Sequence, residues 1–308
     1  MRNRVLTAVA VGLVCIGSVW ITGAEEKDII PNGKGHLPKD NGNNGNGQAN
    51  RNRPNGSGIS YHGGPVMLGT VNVYYIWYGN WSGNSATTIL TDLANGIGGS
   101  PYFNINTTYY NGSGVHVSNL VHYAGSANDN YSQGKSLTDA QIQTVVSSAI
   151  ANGLNGLPNG LPKDTNGVYF VLTSADVTAS SGFCTQYCGW HTHGTISGSD
   201  IKYAFIGNPD RCPSACEWQT TGPNGTGGAD GMASIIAHEL EEAVTDPDLN
   251  AWYDNRGYEN ADKCAWTFGA TFTSPNGALA NMTLNSRYFL IQRNWVNAGS
   301  GSCAMSYP

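Results

Sequence analysis

The run from Met232 to Pro247 restricts this chain more than any other. Met232, Ile235, Ile236, Leu240, Ala243 and Val244 recur at intervals of three and four, so the run is expected to form a helix with an apolar stripe turned inward. The same run carries His238, Glu239, Glu241 and Glu242, in a sequence where only 12% of residues are charged. On a helix His238 and Glu242 stand four apart and project from one face, about 6 Å from each other. Glu239 sits beside them, and Asp246-Pro247 ends the helix.

This arrangement resembles the zinc-hydrolase helix His-Glu-x-x-His, with Glu242 where the second His is usual. Zinc accepts carboxylate oxygen as well as imidazole, so His238 and Glu242 are two candidate ligands of a Zn2+ cofactor. A hydrolytic site also needs a third ligand, an open position and a carboxylate that takes a proton from water. Glu239 is the candidate catalytic base. Glu259 and Asp262, tied down by Cys264, are the candidates for the third ligand, with Glu259 preferred. Asp248 is a further alternative, but Pro247 and Thr245, where a Gly is usual, count against it. A site with one His and two carboxylates makes a poorer Lewis acid, and suits calcium or a structural cation too. In the plainer alternative, His238 and Glu242 only pair with each other while Glu239 and Glu241 face solvent. His191 and His193, downstream of Cys188, either approach the site or belong to a polar loop. Trp252 and Tyr253 either line a cleft or pack in the core, and Asp246 is expected to cap the following turn.

Arg2 and Arg4, the apolar run to Ile21, and Thr22-Gly23-Ala24 read as a secretory signal over residues 1–24. A membrane anchor is the alternative, although the apolar run is barely long enough to span a bilayer. After removal of the signal no membrane association is expected. Residues 25–58 are dominated by Asn, Gly, Lys and Pro and lack the apolar content to offset ordering entropy. They are expected to be a disordered spacer, too featureless for an inhibitory pro-segment. Residues 59–308 form the folded domain, long enough for one sizeable core.

Beyond Cys15 in the signal, six cysteines remain, an even count that in an exported chain suggests disulfides. Proximity and elimination favour Cys184–Cys188, Cys212–Cys216 and Cys264–Cys303. The net charge of −6 and the absence of a basic cluster exclude nucleic acid as an expected partner. The polar, uncharged, aromatic-rich composition fits a secreted protein meeting a peptide or a cell-wall polymer.

Val66–Tyr78 is expected as a strand with a turn at Gly69, Ser85–Ile97 as a helix, and Tyr109–Tyr123 as a hairpin turning at Asn111-Gly112. Thr138 opens a helix with a capping box. Val168–Leu172 and Lys202–Ile206 are expected as central strands, residues 229–246 as the helix of the site, and Tyr288–Gln292 as a last strand. No regular alternation of strand and helix is evident. The expected fold is therefore α+β: a single disulfide-bonded domain with a mixed β-sheet and a zincin-like metal-binding helix.

Four blocks resemble one family in order and spacing: Tyr61-His62-Gly63-Gly64-Pro65 with Ile76-Trp77-Tyr78-Gly79; Gly134-Lys135-Ser136-Leu137-Thr138; Val171 to Val177 leading to Gly182-Phe183-Cys184 and Cys188-Gly189; and Lys202 to Ile206 through Cys212-Pro213 and Cys216. They are similar to the EXORDIUM, or phosphate-induced, proteins, over nearly all of the chain from Tyr61 to Cys303. The resemblance implies a secreted, extracellular or cell-wall protein, linked in plants to growth control. Plant members lack the His-Glu pair of the helix, so the chain resembles microbial members that carry His-Glu-x-x-Glu, and the plant role does not transfer. Together these features predict a secreted protein, either a zinc-dependent hydrolase acting on peptides or a non-catalytic extracellular binding module.

Overall fold

Two strands carry apolar residues on both faces and must lie inside a sheet covered on both sides. They are β1 (Val71–Tyr78) and β3 (Gly167–Thr173), and all but one of their residues are buried. The structure, a computed structural model, describes residues 31–34 and 58–308. The signal over residues 1–24 lies outside the described residues, as does the spacer except for residues 31–34 and 58.

The central sheet has five strands, completed by β2 (Val121–Asp129), β4 (Gly189–Ile196) and β5 (Ser199–Ile206), in the order β2-β1-β3-β5-β4. β1 runs parallel to β2 and β3, and β3 parallel to β5. β4 alone is antiparallel, paired with β5 from Gly189 opposite Ile206 to Ile196 opposite Ser199. The turn between these two strands is Ser197-Gly198, both at positive φ, the backbone that a tight hairpin requires. The sheet is thus mixed, and the domain is α+β as expected.

Helix α1 (Ala86–Ile97) links β1 to β2, and α2 (Asp139–Leu154) links β2 to β3. These crossovers run in opposite directions along the sheet, so their common right hand places them on opposite faces. α2 begins with the expected capping box: Gln141 N–H donates to Thr138 Oγ1 at 3.2 Å, and Thr138 N–H to Gln141 Oε1 at 2.8 Å. The long helix α3 (Gly227–Thr245) packs beside α1 and against β4. Its N-terminus is held by Thr226, which accepts from Ala229, and by Asp210, which accepts from Gly228 N–H.

The burial of α3 departs from the expectation of one inward stripe. Every residue but Gly231 is buried. A helix enclosed on all sides has no solvent face, so its charged side chains must be accommodated within the protein.

Two of the three expected disulfides are corrected. The bridges are Cys184–Cys212 and Cys188–Cys216, with Cα–Cα separations of 5.9 and 5.6 Å; Cys264–Cys303 is as expected. Cys212 and Cys216 flank a helical turn, Pro213–Cys216, which stacks both sulfurs on one face, 3.7 Å apart. From one face they reach across to the neighbouring segment as two rungs, instead of closing two small rings. These bridges fasten the start of β4 to the chain leading into α3.

The hairpin over Tyr109–Tyr123 is also corrected. A single antiparallel bridge, Tyr110 with His116, closes a turn in which Asn111 Oδ1 accepts from Ser113 and Val115 N–H. From Val121 the chain enters β2 instead. The strand expected last, over Tyr288–Gln292, spans Arg287–Phe289 and is not the last: Asn294–Val296 and Ser302–Ala304 follow it as an antiparallel pair. Just beyond Phe289 the Asn281 side chain takes the ladder's place, bonding both the N–H and the carbonyl of Ile291.

Candidate metal centre

Three pieces of chain meet at the C-terminal half of α3. The helix supplies His238, Glu239, Glu241 and Glu242. The turn after the short strand Trp252–Tyr253 supplies Glu259 and Asp262, at the head of a 3-10 turn, Asp262–Cys264, that the Cys264–Cys303 bridge secures. Edge strand β4 supplies His191. All seven are at most 1% exposed.

Glu242 is the pivot. Its Oε1 lies 3.0 Å from His238 Nε2 and accepts from Asp262 N–H at 3.0 Å. Its Oε2 faces His191 Nε2 at 3.8 Å. Asp262 Oδ1 is 3.4 Å from His238 Nε2, and both Glu259 oxygens lie 3.1–3.2 Å from His191 Nε2. Two sets of donor atoms therefore share one carboxylate: His238, Glu242 and Asp262 on one side, and His191, Glu242 and Glu259 on the other. Within each set the atoms lie within 4.8 Å of one another.

The expected site residues His238, Glu239, Glu242, Glu259 and Asp262 thus converge. Asp248 does not: it lies near the surface, 2.8 Å from Lys202 Nζ. The plainer alternative was right that His238 pairs with Glu242, but Glu239 and Glu241 are completely buried. Glu241 turns to another neighbourhood, 3.5 Å from Asn106 Nδ2. Trp252 and Tyr253 are core residues; Trp252 packs among Tyr61, Tyr109 and Tyr110. Asp246 caps the following turn as expected, accepting from Asn250 and Ala251 N–H at 2.6 Å each.

His191 belongs to the cluster although the helix motif gives no hint of it. Residues two apart on a strand share a face, so His193 points the same way but nearer the rim, toward Asp200 at 2.8 Å. The signal was the hairpin itself: two β-rich runs, Gly189–Ile196 and Ser199–Ile206, separated by Ser197-Gly198.

The electrostatics of so many buried carboxylates are unfavourable unless positive charge joins them. Burial, then the Glu242 charge, drives Glu259 well above the usual carboxylate range. Burial and the neighbouring Asp262 raise Glu242 to about 7. Glu239 is also raised well above its ordinary value, first by burial. His191, desolvated, falls to about 3 and is neutral. Burial also opposes charge on His238, but Glu242, Asp262 and Glu239 outweigh it and hold the imidazole protonated well above its usual range. A proton on His238 is the cation this cluster supplies for itself.

The donors fit a metal ion on two counts. Imidazole with carboxylate is a donor set for zinc. Among the described residues, neither Glu239 oxygen nor Glu242 Oε2 accepts a hydrogen bond, although all three are fully buried. Buried carboxylate oxygens left unpaired cost several kcal/mol by rough estimate. No Lys or Arg among the described residues forms an ion pair with Glu239, Glu242 or Glu259. Glu239 Oε1 reaches toward β4 at Gly189, where a side-chain Cβ would lie only 3.0 Å away. The glycine keeps that space open.

With the geometry in view, similarity to known proteins can be read beside it. The conserved region of phosphate-induced protein 1 matches residues 59–295, which include all of the cluster. Protein EXORDIUM-like 3 of Arabidopsis thaliana is 34% identical, over 79% of this chain and 81% of its own length. Protein EXORDIUM-like 5 of the same plant is 33% identical, over 77% and 75%. Protein PHOSPHATE-INDUCED 1 of Nicotiana tabacum is 29% identical, over 63% and 67%. No solved structure matches the chain. Three disulfides, and the absence among the described residues of any helix able to cross a membrane, are compatible with an extracellular protein. On the extent of these matches, the chain belongs to the phosphate-induced protein 1 family.

Proposed function

We propose that this protein is a secreted zinc-dependent hydrolase acting on peptides, a member of its family that retains a working His-Glu-x-x-Glu helix of the kind associated with microbial relatives. The observation that carries the reading is Glu239: a completely buried carboxylate with no hydrogen-bond partner among the described residues, next to a set of zinc-type donors.

His238, Glu242 and Asp262 would hold the ion, with Glu259 the remaining carboxylate against His191. Bound zinc supplies Lewis acidity, which lets water lose a proton near neutral pH and polarises a carbonyl. The chain's residues do the rest. Glu239 accepts the proton from the attacking water and returns it to the leaving amine. His191 is a neutral imidazole whose Nε2 already faces two carboxylates, so it fixes Glu242 and Glu259 in place. Asp262 N–H, donating to Glu242 Oε1, holds that carboxylate toward His238.

The test has two arms. Elemental mass spectrometry of the purified mature chain is expected to find about one zinc per chain, absent in His238→Ala. Glu239→Gln is expected to keep the metal and the fold while losing at least a hundredfold in peptide hydrolysis, the scale of general-base catalysis. A chain that neither retains nor takes up zinc sinks the reading.

Complete burial favours one alternative, a structural cation in a non-catalytic extracellular module. There Glu239→Gln leaves every function unchanged, and a chelator lowers the melting temperature of a protein without turnover.

A further inference from the structure

The segment Pro31–Lys34 lies on the free edge of β4. Edge strands present N–H and carbonyl groups that can pair with another chain. Here the N–H of His191 donates to the Gly33 carbonyl at 3.0 Å. The contact is backbone on backbone: a Cβ at Gly33 would fall 1.9 Å from the His191 oxygen, and the φ of +68° is one that glycine adopts readily. Pro31 and Gly33 are buried, while Asn32 is exposed and its side chain accepts from Lys34 N–H at 2.9 Å.

Lys34 then turns inward. Its ammonium lies 2.7 Å from Asp139 Oδ2, and 5.3 and 5.8 Å from the ring centroids of Tyr187 and Trp190. A carboxylate flanked by two aromatic faces is a receptor for a cation. The receptor is braced: Ser181 Oγ donates to Asp139 and also bonds the Tyr187 hydroxyl. Neighbouring strap residues therefore bind the strand that carries His191 and fill an acidic, aromatic pocket beside it.

We propose that the β4 edge and the pocket of Asp139, Tyr187 and Trp190 form a binding site for an extended peptide bearing a Lys or Arg side chain, and that Pro31–Lys34 occupies it as the chain's own competitor. The proposal deepens the peptidase reading by naming its substrate class, and it depends on that reading for its catalytic consequence alone. Strand addition gives affinity through backbone hydrogen bonds, and the pocket selects the side chain. A tethered segment acts at an effective concentration on the order of millimolar, so an outside peptide of equal affinity must approach that concentration to displace it. For these four residues the proposal departs from the expectation of a spacer without inhibitory features.

The test is a fluorescence-anisotropy titration of the full chain, kept in chelator, with labelled Pro-Asn-Gly-Lys-Gly. Lys34→Ala and, separately, Gly33→Ala are expected to tighten binding at least tenfold over the unaltered chain. Adding Asp139→Asn to Lys34→Ala is expected to reverse most of that gain, as is replacing the peptide's Lys by Met. Melting curves check that each variant is folded, and Lys34→Ala, a partly exposed position, carries the test if Gly33→Ala misfolds. Equal affinity in the unaltered chain and the strap variants, or indifference to Asp139→Asn, overturns the proposal. Because the titration needs no metal, the two readings fail separately. A strap variant that binds peptide in a chain that neither holds zinc nor hydrolyses leaves the groove standing and removes the hydrolase. Zinc and turnover without a strap effect do the opposite.

Discussion

Two regions of this protein have the composition of a metal site, and His191 and His193, two residues apart on β4, each reach one of them. Near the rim, His193, Asp200 and Asp248 bring three donor atoms within 4.8 Å, as do His238, Glu242 and Asp262 in the interior. Lys202 separates the two cases. Its ammonium contacts Asp200 and lies 2.8 Å from Asp248, and the side chains of the rim triad are 18–42% exposed. The rim has its cation and its water. The interior has neither: Glu239, Glu242 and Glu259 face no Lys or Arg among the described residues, and the proton on His238 is the charge at hand. Donor count alone does not mark a site. Donors buried without a resident cation do.

The largest expected effect follows from that difference. Zinc at a thousand times its dissociation constant is expected to stabilise the folded chain by about 4 kcal/mol, a rise in melting temperature of about 10 °C for a domain of this size. The shift should reverse with chelator and vanish in His238→Ala, whereas His193→Ala should retain it in full. An identical shift in both variants, or none in the unaltered chain, would remove the distinction between the clusters. Next in size is Asp246, which ends the same helix and whose Oδ1 caps the following turn. Asp246→Ala leaves the backbone N–H groups of Asn250, at the surface, and of buried Ala251 without their acceptor. The expected loss is about 2–3 kcal/mol in a urea denaturation curve. It should be the same with and without zinc.

The sequence spelled out the interior cluster unevenly, for physical reasons. His238, Glu239 and Glu242 were legible because helix periodicity fixes which residues share a face, and Glu259 and Asp262 because a cysteine pins them. His191 was legible only as one of two alternatives, approach to the site or a polar loop, because the hairpin signal shows the strand but not what the strand packs against. The same limit applies to the disulfides. A spacing of Cys-x-x-x-Cys reads as a ring, but a helical turn lines both sulfurs up toward another segment. Strand β2 escaped notice because only Ala127 of its nine residues is buried, so it has no apolar alternation. Strands β1, β3 and β5 and the stripes of α1 and α2 were plain, since burial there is dense enough to leave its period in the sequence.

The smallest effect belongs to the rim, and its sign is opposite in kind. Burial pushes the Asp200 carboxyl up, but hydrogen bonds from Lys202 and His193 outweigh it and hold the group below its ordinary value of 3.8. A carboxyl held low in the folded state binds its proton less readily there than in the unfolded chain. Its contribution is therefore complete above pH 3.8 and is lost as the pH falls below that. Lys202→Met removes the main partner, so the acid limb of the stability curve should flatten. At neutral pH the change should cost about 1 kcal/mol, since Lys202 is itself buried but its partner Asp200 is 42% exposed and screened by solvent. Zinc content and peptide hydrolysis should not move. If Lys202→Met instead strips zinc from the protein, the rim and the interior are one electrostatic unit, and Lys202 shares the balancing of a charge otherwise left to the metal.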